Sequence, residues 1–554
     1  MHVSEQVLEM AALGRPFQLG MLYDCRSDFL LPGITLWDPG TLAKNIDMRV
    51  QPNTETQVIA FDTLANKAGA FSLSSSLKAS FLGSLVRVEG SAKFLNDRQR
   101  SQRQARVTLK YSASTHFKQL TMSQIGRQHV SYPEVFEQSV ATHVVTGILY
   151  GAHAFFVFDQ MSSSVESVQD VQAKLHAMVM KIPTAAVAGE GGISGQRDAR
   201  GKDVAGSFSC SFYGDFALES NPTTYEEALR VYSSLPQRLG SNGEKAVPVK
   251  LWLYPLIRLH SRAAKLVREV SAKLVSDTER ALEKLMEVDV RCNDLLQDPI
   301  STTFPEILKK IRAFKHLCEQ YKCAFQKRLA QVLPSIRGGG AEEVALVDIL
   351  RGNEQSPFRT SLLKKFLDLR YREIYFVKFF LDLSKGRVSS QDDLVRRVLD
   401  PRIDAVVAFI FTSLEAKEPY LHTLSASLAH GSEPKPKALT EADKKFTPWF
   451  EDKDVLESAR NAAMVFADFS LSCYPGEVRF VVTSRRDDGN PGAVLVRYQS
   501  GCLDGTRLDL LPRPSPPLID AISYDRFELT FKPAEAGTQA VSGYYVQYRV
   551  FGEE

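Results

Sequence analysis

The sequence predicts a multidomain α+β protein, and three observations carry that prediction. The chain has 554 residues, enough for three to four domains at about 150 residues each. Its hydrophobic spacing changes from two-residue alternation to helical steps near residue 256, and back to short strands after about 390. A proline-rich lead, Pro512-Arg513-Pro514-Ser515-Pro516-Pro517, sets off a last β-rich stretch.

The first stretch, 1–255, is strand-rich. Val58–Phe61, Ala105–Tyr111, Thr142–Phe158 and Ser207–Leu218 combine β-branched and aromatic residues with turn punctuation. The second, 256–385, is helical. Leu274, Leu282, Leu285 and Val288 mark one stripe, and Ile307, Ile311, Phe314, Leu317 and Tyr321 another. Short connections between such helices predict an antiparallel bundle. The third, 390–510, reads as a small α/β layer, with Ala405–Phe411 a buried strand, Val455–Phe469 a helix, and Arg479–Thr483 and Ala493–Tyr498 further strands. The fourth, 513–554, has clear strands at Phe527–Phe531 and Tyr544–Val550. It resembles the start of a fibronectin type III module, an incomplete β sandwich, since such a module needs about 100 residues.

Charge and composition exclude several classes. With 68 basic and 65 acidic residues the net charge is +3. That excludes nucleic-acid binding by bulk charge. No stretch reaches the roughly 18 unbroken apolar residues of a membrane helix. Met1–Gly14 carries Glu5 and Glu9 and no basic segment, so it is not a secretory signal. The expectation is a protein made soluble, in the cytoplasm or exported by an unconventional route. Seven scattered cysteines, without a spacing pattern, argue against a disulfide framework.

No reactive constellation emerges. Gly195 and Gly201-Lys202 miss the phosphate-loop spacing, and Asp203 stands where magnesium needs Ser or Thr. There is no G-x-S-x-G elbow and no C-x-x-C pair. His143 and His153 lack metal spacing. The sequence reads as a protein that works by shape, without catalysis, cofactor, metal or small-molecule substrate.

Two segments carry a double periodicity. Phe71, Leu73, Leu77, Ala79 and Phe81, with Ser75 the one polar exception, alternate with Ser72, Ser74, Ser76, Lys78 and Ser80. After Leu82–Leu85 the parity changes, and Val86, Val88, Gly90, Ala92 and Phe94 alternate with Arg87, Glu89, Ser91 and Lys93. The arms have the roughly 9–11 residues of a bilayer-spanning strand. The same residues also step helically, from Leu73 through Leu77, Phe81, Leu85, Val88 and Ala92 to Leu95. In the second segment Val165, Val168, Val171, Leu175, Met178 and Ile182 form a helical stripe, while Val171, Ala173, Leu175, Ala177 and Val179 alternate with polar neighbours. Its return arm, Ala185 to Ile193, is blurred by small residues. Such segments suit a helix in one state and a hairpin in another; permanently helical packing on a sheet suits them equally.

The segment Ala141-Thr142-His143-Val144-Val145-Thr146-Gly147-Ile148-Leu149-Tyr150-Gly151-Ala152 resembles the signature of the membrane-attack-complex/perforin fold. Thr142, His143, Gly147, Gly151 and Ala152 carry the likeness, with Val140-Ala141 in place of aromatic-Gly and Gly151-Ala152 in place of Gly-Gly. Further segments, including Gly14-Arg15-Pro16-Phe17, Arg106–Tyr111, Phe155–Asp159, Pro222–Ala228, Gln355–Phe358 and Phe411-Thr412-Ser413, resemble the stonefish venom cytolysins, the stonustoxin/verrucotoxin-like family. The likeness runs from about 10 to about 510.

The resemblance implies a bent antiparallel perforin-like sheet with flanking helical clusters (1–255), a focal-adhesion-targeting-like helical bundle (256–385) and a thioredoxin-like domain without redox cysteines (390–510). It implies a pore-forming, cytolytic protein: a soluble monomer that assembles into a ring on a lipid membrane, with a second related subunit possible. Two clusters, 64–105 and 160–206, would refold into transmembrane β-hairpins. The membrane-inserting candidates are Phe71, Leu73, Leu77, Phe81, Val86, Val88, Phe94, Val171, Leu175 and Val179. Arg98, Arg100, Arg103 and Arg106 are candidates for headgroup contact, at about 1 kcal/mol each. A non-lytic interaction scaffold on the same fold is the rival reading.

Overall fold

A computed structural model describes residues 5–121, 130–163, 166–188, 208–429, 446–472, 478–505, 518–522 and 526–530. It is a multidomain α+β protein dividing into two compact units, one of residues 1–293 and 318–360, the other of 294–317, 361–429 and the C-terminal residues.

The first unit is organised around the strand β6 (His143–Met161). Its apolar run Phe155–Phe158 is wholly buried, as expected of a strand covered on both faces. On one edge β6 pairs with β5 (Gln104–Leu120), which pairs with the edge strand β4 (Ile46–Ile59), all antiparallel. The other edge is shared by two strands. β7 (Ser209–Gly214) pairs with Ala154–Asp159, and β8 (Val247–Pro255) with His143–Gly151. The helix Tyr225–Arg238 lies between them in the chain, opened by a capping box of Thr224 and Glu227. One strand position is thus filled by two collinear pieces. β1 (Leu8–Ala11) joins β8, while β2 (Met21–Asp24) joins the start of β6 and carries β3 (Phe29–Thr35).

The β4–β5 and β5–β6 ladders both slip near Thr115: β4 gains a residue opposite it, and the β5–β6 register shifts between Ser114 and His116. Such bulges bend the strands that carry them.

Each face of this sheet has its own core. Ile59, Phe155 and Val157 share one with Phe71, Leu77, Val86 and Phe94. Leu109, Phe156 and Phe158 share the other with Leu175, Val179, Ile182 and Tyr225. The two dual-period segments therefore cover opposite faces. Helix Ala272–Gln297, the C-terminal half of Pro305–Arg337, and Val344–Gln355 complete this unit. There Tyr321 stacks on Phe358 at 4.2 Å and donates a 2.8 Å hydrogen bond to Asn353.

In the second unit the strands run in the order Val478–Ser484, Ala405–Phe411, Ala493–Gln499, Cys502–Gly505, the first pair parallel and the rest antiparallel. Every residue of Ala405–Phe411 is buried, as its apolar run predicts. Helix Lys453–Ser472 covers the sheet with Ala459, Ala463 and Phe466 buried. An ion cluster, balanced by Lys310 at 3.8 Å from Glu373 and 3.7 Å from Glu418, is buried in this unit. Arg370 meets Glu373 at 2.7 Å and Glu418 at 2.6 Å, and Trp449 donates to Glu373.

Of the fibronectin-like stretch, only the antiparallel pair Leu518–Ile522 and Phe527–Thr530 is described; Phe531 and Tyr544–Val550 lie outside the described residues. So do Val165, the loop holding Gly195 and Gly201-Lys202, and the return arm beyond Ala188. Among the described residues no helix is long and apolar enough to cross a membrane.

Candidate functional site

The signature residues fasten β6 to its neighbours. Thr142 donates its backbone N–H to Tyr23 O at 3.0 Å, and its hydroxyl oxygen accepts from Cys25 N at 2.9 Å. His143 Nδ1 lies 2.9 Å from that hydroxyl and 3.1 Å from Cys25 Sγ. Burial pushes the His143 imidazole down to about 4. Gly147 leaves room for the Phe117–Trp252 ring pair, whose Phe117 ring a β-carbon would meet at 3.0 Å. Gly151 sits against the bulge, where a β-carbon would lie 2.1 Å from Ala113 O. Only glycine permits that approach. Ala152 is buried on the face of Leu109 and Phe156.

The first segment joins β4 to β5 and is helical here. Helix α1 (Leu64–Ala70) is capped by Thr63, and α2 (Ser75–Leu82) by Ser74, whose hydroxyl accepts from Leu77 N. A 3₁₀ turn follows at Gly90–Asn96. Phe71, Leu77, Val86 and Phe94 are buried, while Leu73, Phe81 and Val88 pack half-buried against them. Phe94 stacks on Phe155 at 4.4 Å, and Phe71 packs against the same ring at 4.9 Å, tilted by 38°. The Asp215 carboxylate clasps the segment to the sheet, accepting from Ser91 N at 2.8 Å and His153 N at 2.9 Å. Burial raises its pKa.

The helical region holds the other side. Arg337 is fully buried; Nη1 donates to Asp28 Oδ2 at 3.0 Å and Ser80 Oγ at 2.7 Å, and Nη2 to Ser76 O at 2.6 Å. Lys78 pairs with Glu279 at 2.7 Å, Leu64 N donates to Glu283 at 3.0 Å, and Gln326 donates to Leu82 O at 3.0 Å. Beside these contacts a cleft of about 1330 Å³ opens, lined by Phe81, Val88, Arg98, Lys284 and Met286. The segment is pinned at discrete points rather than close-packed.

The second segment joins β6 to β7, and its described part holds two helices, α3 (Val168–Val179) and α4 (Ile182–Ala188). Val171, Leu175 and Val179 are buried. Gln172 reaches the end of the β4–β5 ladder. Its amide donates to Ala60 O and Arg106 O at 2.6 Å and accepts from Arg106 N at 2.8 Å.

The four arginines, one cluster in sequence, are separated in the fold. Arg106 is buried in an ion network with Asp159 at 2.7 Å and Asp97 at 2.8 Å. Arg98 is half-buried against Met286. Arg100 and Arg103 are exposed. Sequence reasoning missed Arg337, Asp215 and Gln172. Each is a lone polar residue whose partners lie 62 to 311 residues away, and no local pattern marks it.

Two family models match the chain: the stonustoxin helical domain over residues 280–375 and the thioredoxin-like SNTX domain over 387–508. Verrucotoxin subunit beta of Synanceia verrucosa is 37% identical over 533 residues, 96% of this chain and 75% of that one. Cytolytic toxin-alpha of Scorpaena plumieri is 35% identical over 532 residues, 95% of this chain and 74% of that one. A solved stonustoxin structure superposes with a TM-score of 0.73 at 32% identity, covering 92% of this chain and 71% of that one.

Proposed function

The chain belongs to the stonustoxin–verrucotoxin family, and on that premise we propose that it is a pore-forming cytolysin. It reaches its target as a folded protein, assembles with copies of itself or a related subunit on a lipid membrane, and inserts the 64–105 and 160–206 segments as β-hairpins. One observation supports this above the rest. Each segment joins two strands that pair directly and run antiparallel: β4 with β5, and β6 with β7. A helical connection between such neighbours can become a hairpin by extending strands that already pair, with no change of topology.

Lipid sets the assembly requirement. Every backbone N–H and C=O in the bilayer core needs a partner, so open strand edges are forbidden there. Two hairpins per chain leave two open edges. Only a closed ring of many chains removes them.

Dye release from liposomes, with the bound protein imaged, tests this. Release accompanied by rings is the expected outcome; intact vesicles and monomers across lipid compositions would favour a non-lytic interaction protein. Val88→Lys separates pore from packing. Val88 is only half-buried in the soluble fold, whereas a lipid-facing lysine costs about 2–4 kcal/mol near the midplane. The variant is expected to melt near the parent's temperature and lose most of its lytic activity. Leu77→Lys is less informative, because Leu77 is 2% exposed and the soluble fold would suffer first.

A further inference from the structure

We infer that residues 60–103 insert in one particular register, the unslipped continuation of the β4–β5 ladder, with Leu82–Leu85 as a four-residue loop. The inference rests on the pore-forming reading above and specifies its geometry.

The ladder runs without a slip from Asn53 opposite Ser114 to Ile59 opposite Thr108. Each further step along β4 is met by one step back along β5. The next like-facing pair is Phe61–Arg106. Continuing, Leu73 faces Phe94, Leu77 faces Gly90, Ala79 faces Val88, and Phe81 faces Val86. If Phe61–Arg106 is a hydrogen-bonded pair, so is Phe81–Val86, which closes the hairpin and leaves Leu82–Leu85 for the loop. Four-residue loops, often built around a type I turn, are common in hairpins.

Three properties of the sequence agree with this register although none was used to set it. Opposed residues of an antiparallel pair share a face, and here the arm 73–81 meets the arm 86–94 on one face, apolar but for Ser75 opposite Ala92. The other face is polar and complementary: Lys78 falls opposite Glu89, Ser76 opposite Ser91, and Ser74 opposite Lys93. Beyond Phe71 the apolar face ends in cations, Lys67 opposite Arg100 and Gly69 opposite Arg98, where the strand would leave the hydrocarbon. A one-residue slip would set serines against the apolar arm.

The soluble fold already holds the first new rung open. Gln172 both donates to Arg106 O and accepts from Arg106 N. Those are the two bonds that the Phe61 backbone would make as a hydrogen-bonded pair. The side-chain amide is a placeholder for the next strand residue, and it belongs to the second segment. Release of α3 therefore frees the rung at which the first hairpin begins to zip. The second segment also agrees in parity. Ile59, Phe155 and Val157 lie on one face of the sheet. Counting in twos from Val157 reaches Val171, Leu175 and Val179, so both apolar arms emerge on the same side.

Paired cysteines test the register. If Phe61–Arg106 is hydrogen-bonded, Ser74–Lys93 is a non-hydrogen-bonded pair with Cα atoms about 4.5 Å apart, within disulfide reach. Ser74 and Lys93 are exposed in the soluble fold. Lys93→Cys is combined in turn with Ser72→Cys, Ser74→Cys and Ser76→Cys, with exposed Cys323 and Cys502 replaced by serine. The proteins are oxidised on phosphatidylcholine–phosphatidylserine vesicles and in solution. The 74/93 pair is expected to link several-fold more than 72/93 or 76/93, and only with vesicles. Dominance of a flanking pair, or no linkage in any pair, while the vesicles leak overturns the register and leaves pore formation standing. Absence of leakage from the parent protein overturns both. Lys78→Cys with Glu89→Cys reads the same register should Ser74→Cys weaken the α2 cap.

Discussion

His153 sits where acid reaches the sheet. Its ring is edge-on to Phe71 at 5.7 Å and its Nδ1 lies 2.9 Å from Ser112 Oγ. Burial pushes its pKa down to about 4, with Lys110 adding to the effect. Between about 6.5 and 4 the unfolded chain takes up a proton that the native chain refuses, so stability falls as pH drops through that window. His143 acts in the same direction; Asp215, raised, acts in the opposite one. His153→Gln is expected to flatten the loss of urea midpoint between pH 7 and 4.5, recovering ~3 kcal/mol at most. Arg337→Met is expected to cost about 3 kcal/mol or more, because it leaves a buried carboxylate short of its cation. Hydrogen exchange should show the loss concentrated in Ser75–Leu82. The signature residues were legible through resemblance, since their spacing survives in sequence. Arg337 was not, because its role exists only once Asp28, Ser76 and Ser80 are brought to it.

At the scale of elements, periodicity located both segments but left their state open. The helical state wins here through features outside the period: the Thr63 and Ser74 caps, the stack on Phe155, and the clasp of Asp215. Caps contribute about 1 kcal/mol each, a modest margin for helices of seven and eight residues. The apolar runs Phe155–Phe158 and Ala405–Phe411 were unambiguous, since a run buried on both faces has few alternatives. The split of one strand position into β7 and β8 was not legible, because each piece reads as an ordinary short strand. Gln172→Leu should remove the cap on the β4–β5 ladder. The Arg106 amide is expected to exchange about fivefold faster, the equivalent of one net hydrogen bond, with the fold otherwise retained.

At the scale of the whole molecule, changes of hydrophobic period divide the sequence into four stretches. Spacing does not show where compact units divide, and a single long helix, Pro305–Arg337, contributes to both. Arg370→Met tests the second unit alone. Among the described residues it leaves Lys310, at 3.8 and 3.7 Å, as the one cation beside Glu373 and Glu418, with Trp449 still donating to Glu373. A loss of about 3–5 kcal/mol is expected, visible in calorimetry as a lowered transition for that unit.

The three rings of Phe71, Phe94 and Phe155 bear on how this lineage can vary. In the soluble fold positions 71 and 94 must offer a flat face to a neighbour. In a membrane-spanning strand the same positions must dissolve in hydrocarbon and suit a pleated backbone. The admissible residues are those common to both vocabularies, a shorter set than either alone. Ser72, Ser74 and Lys93 meet water in both settings and are free to drift. Variation across 71–94 should therefore itself alternate, conserved and permissive by turns, with the beat reversing across Leu82–Leu85.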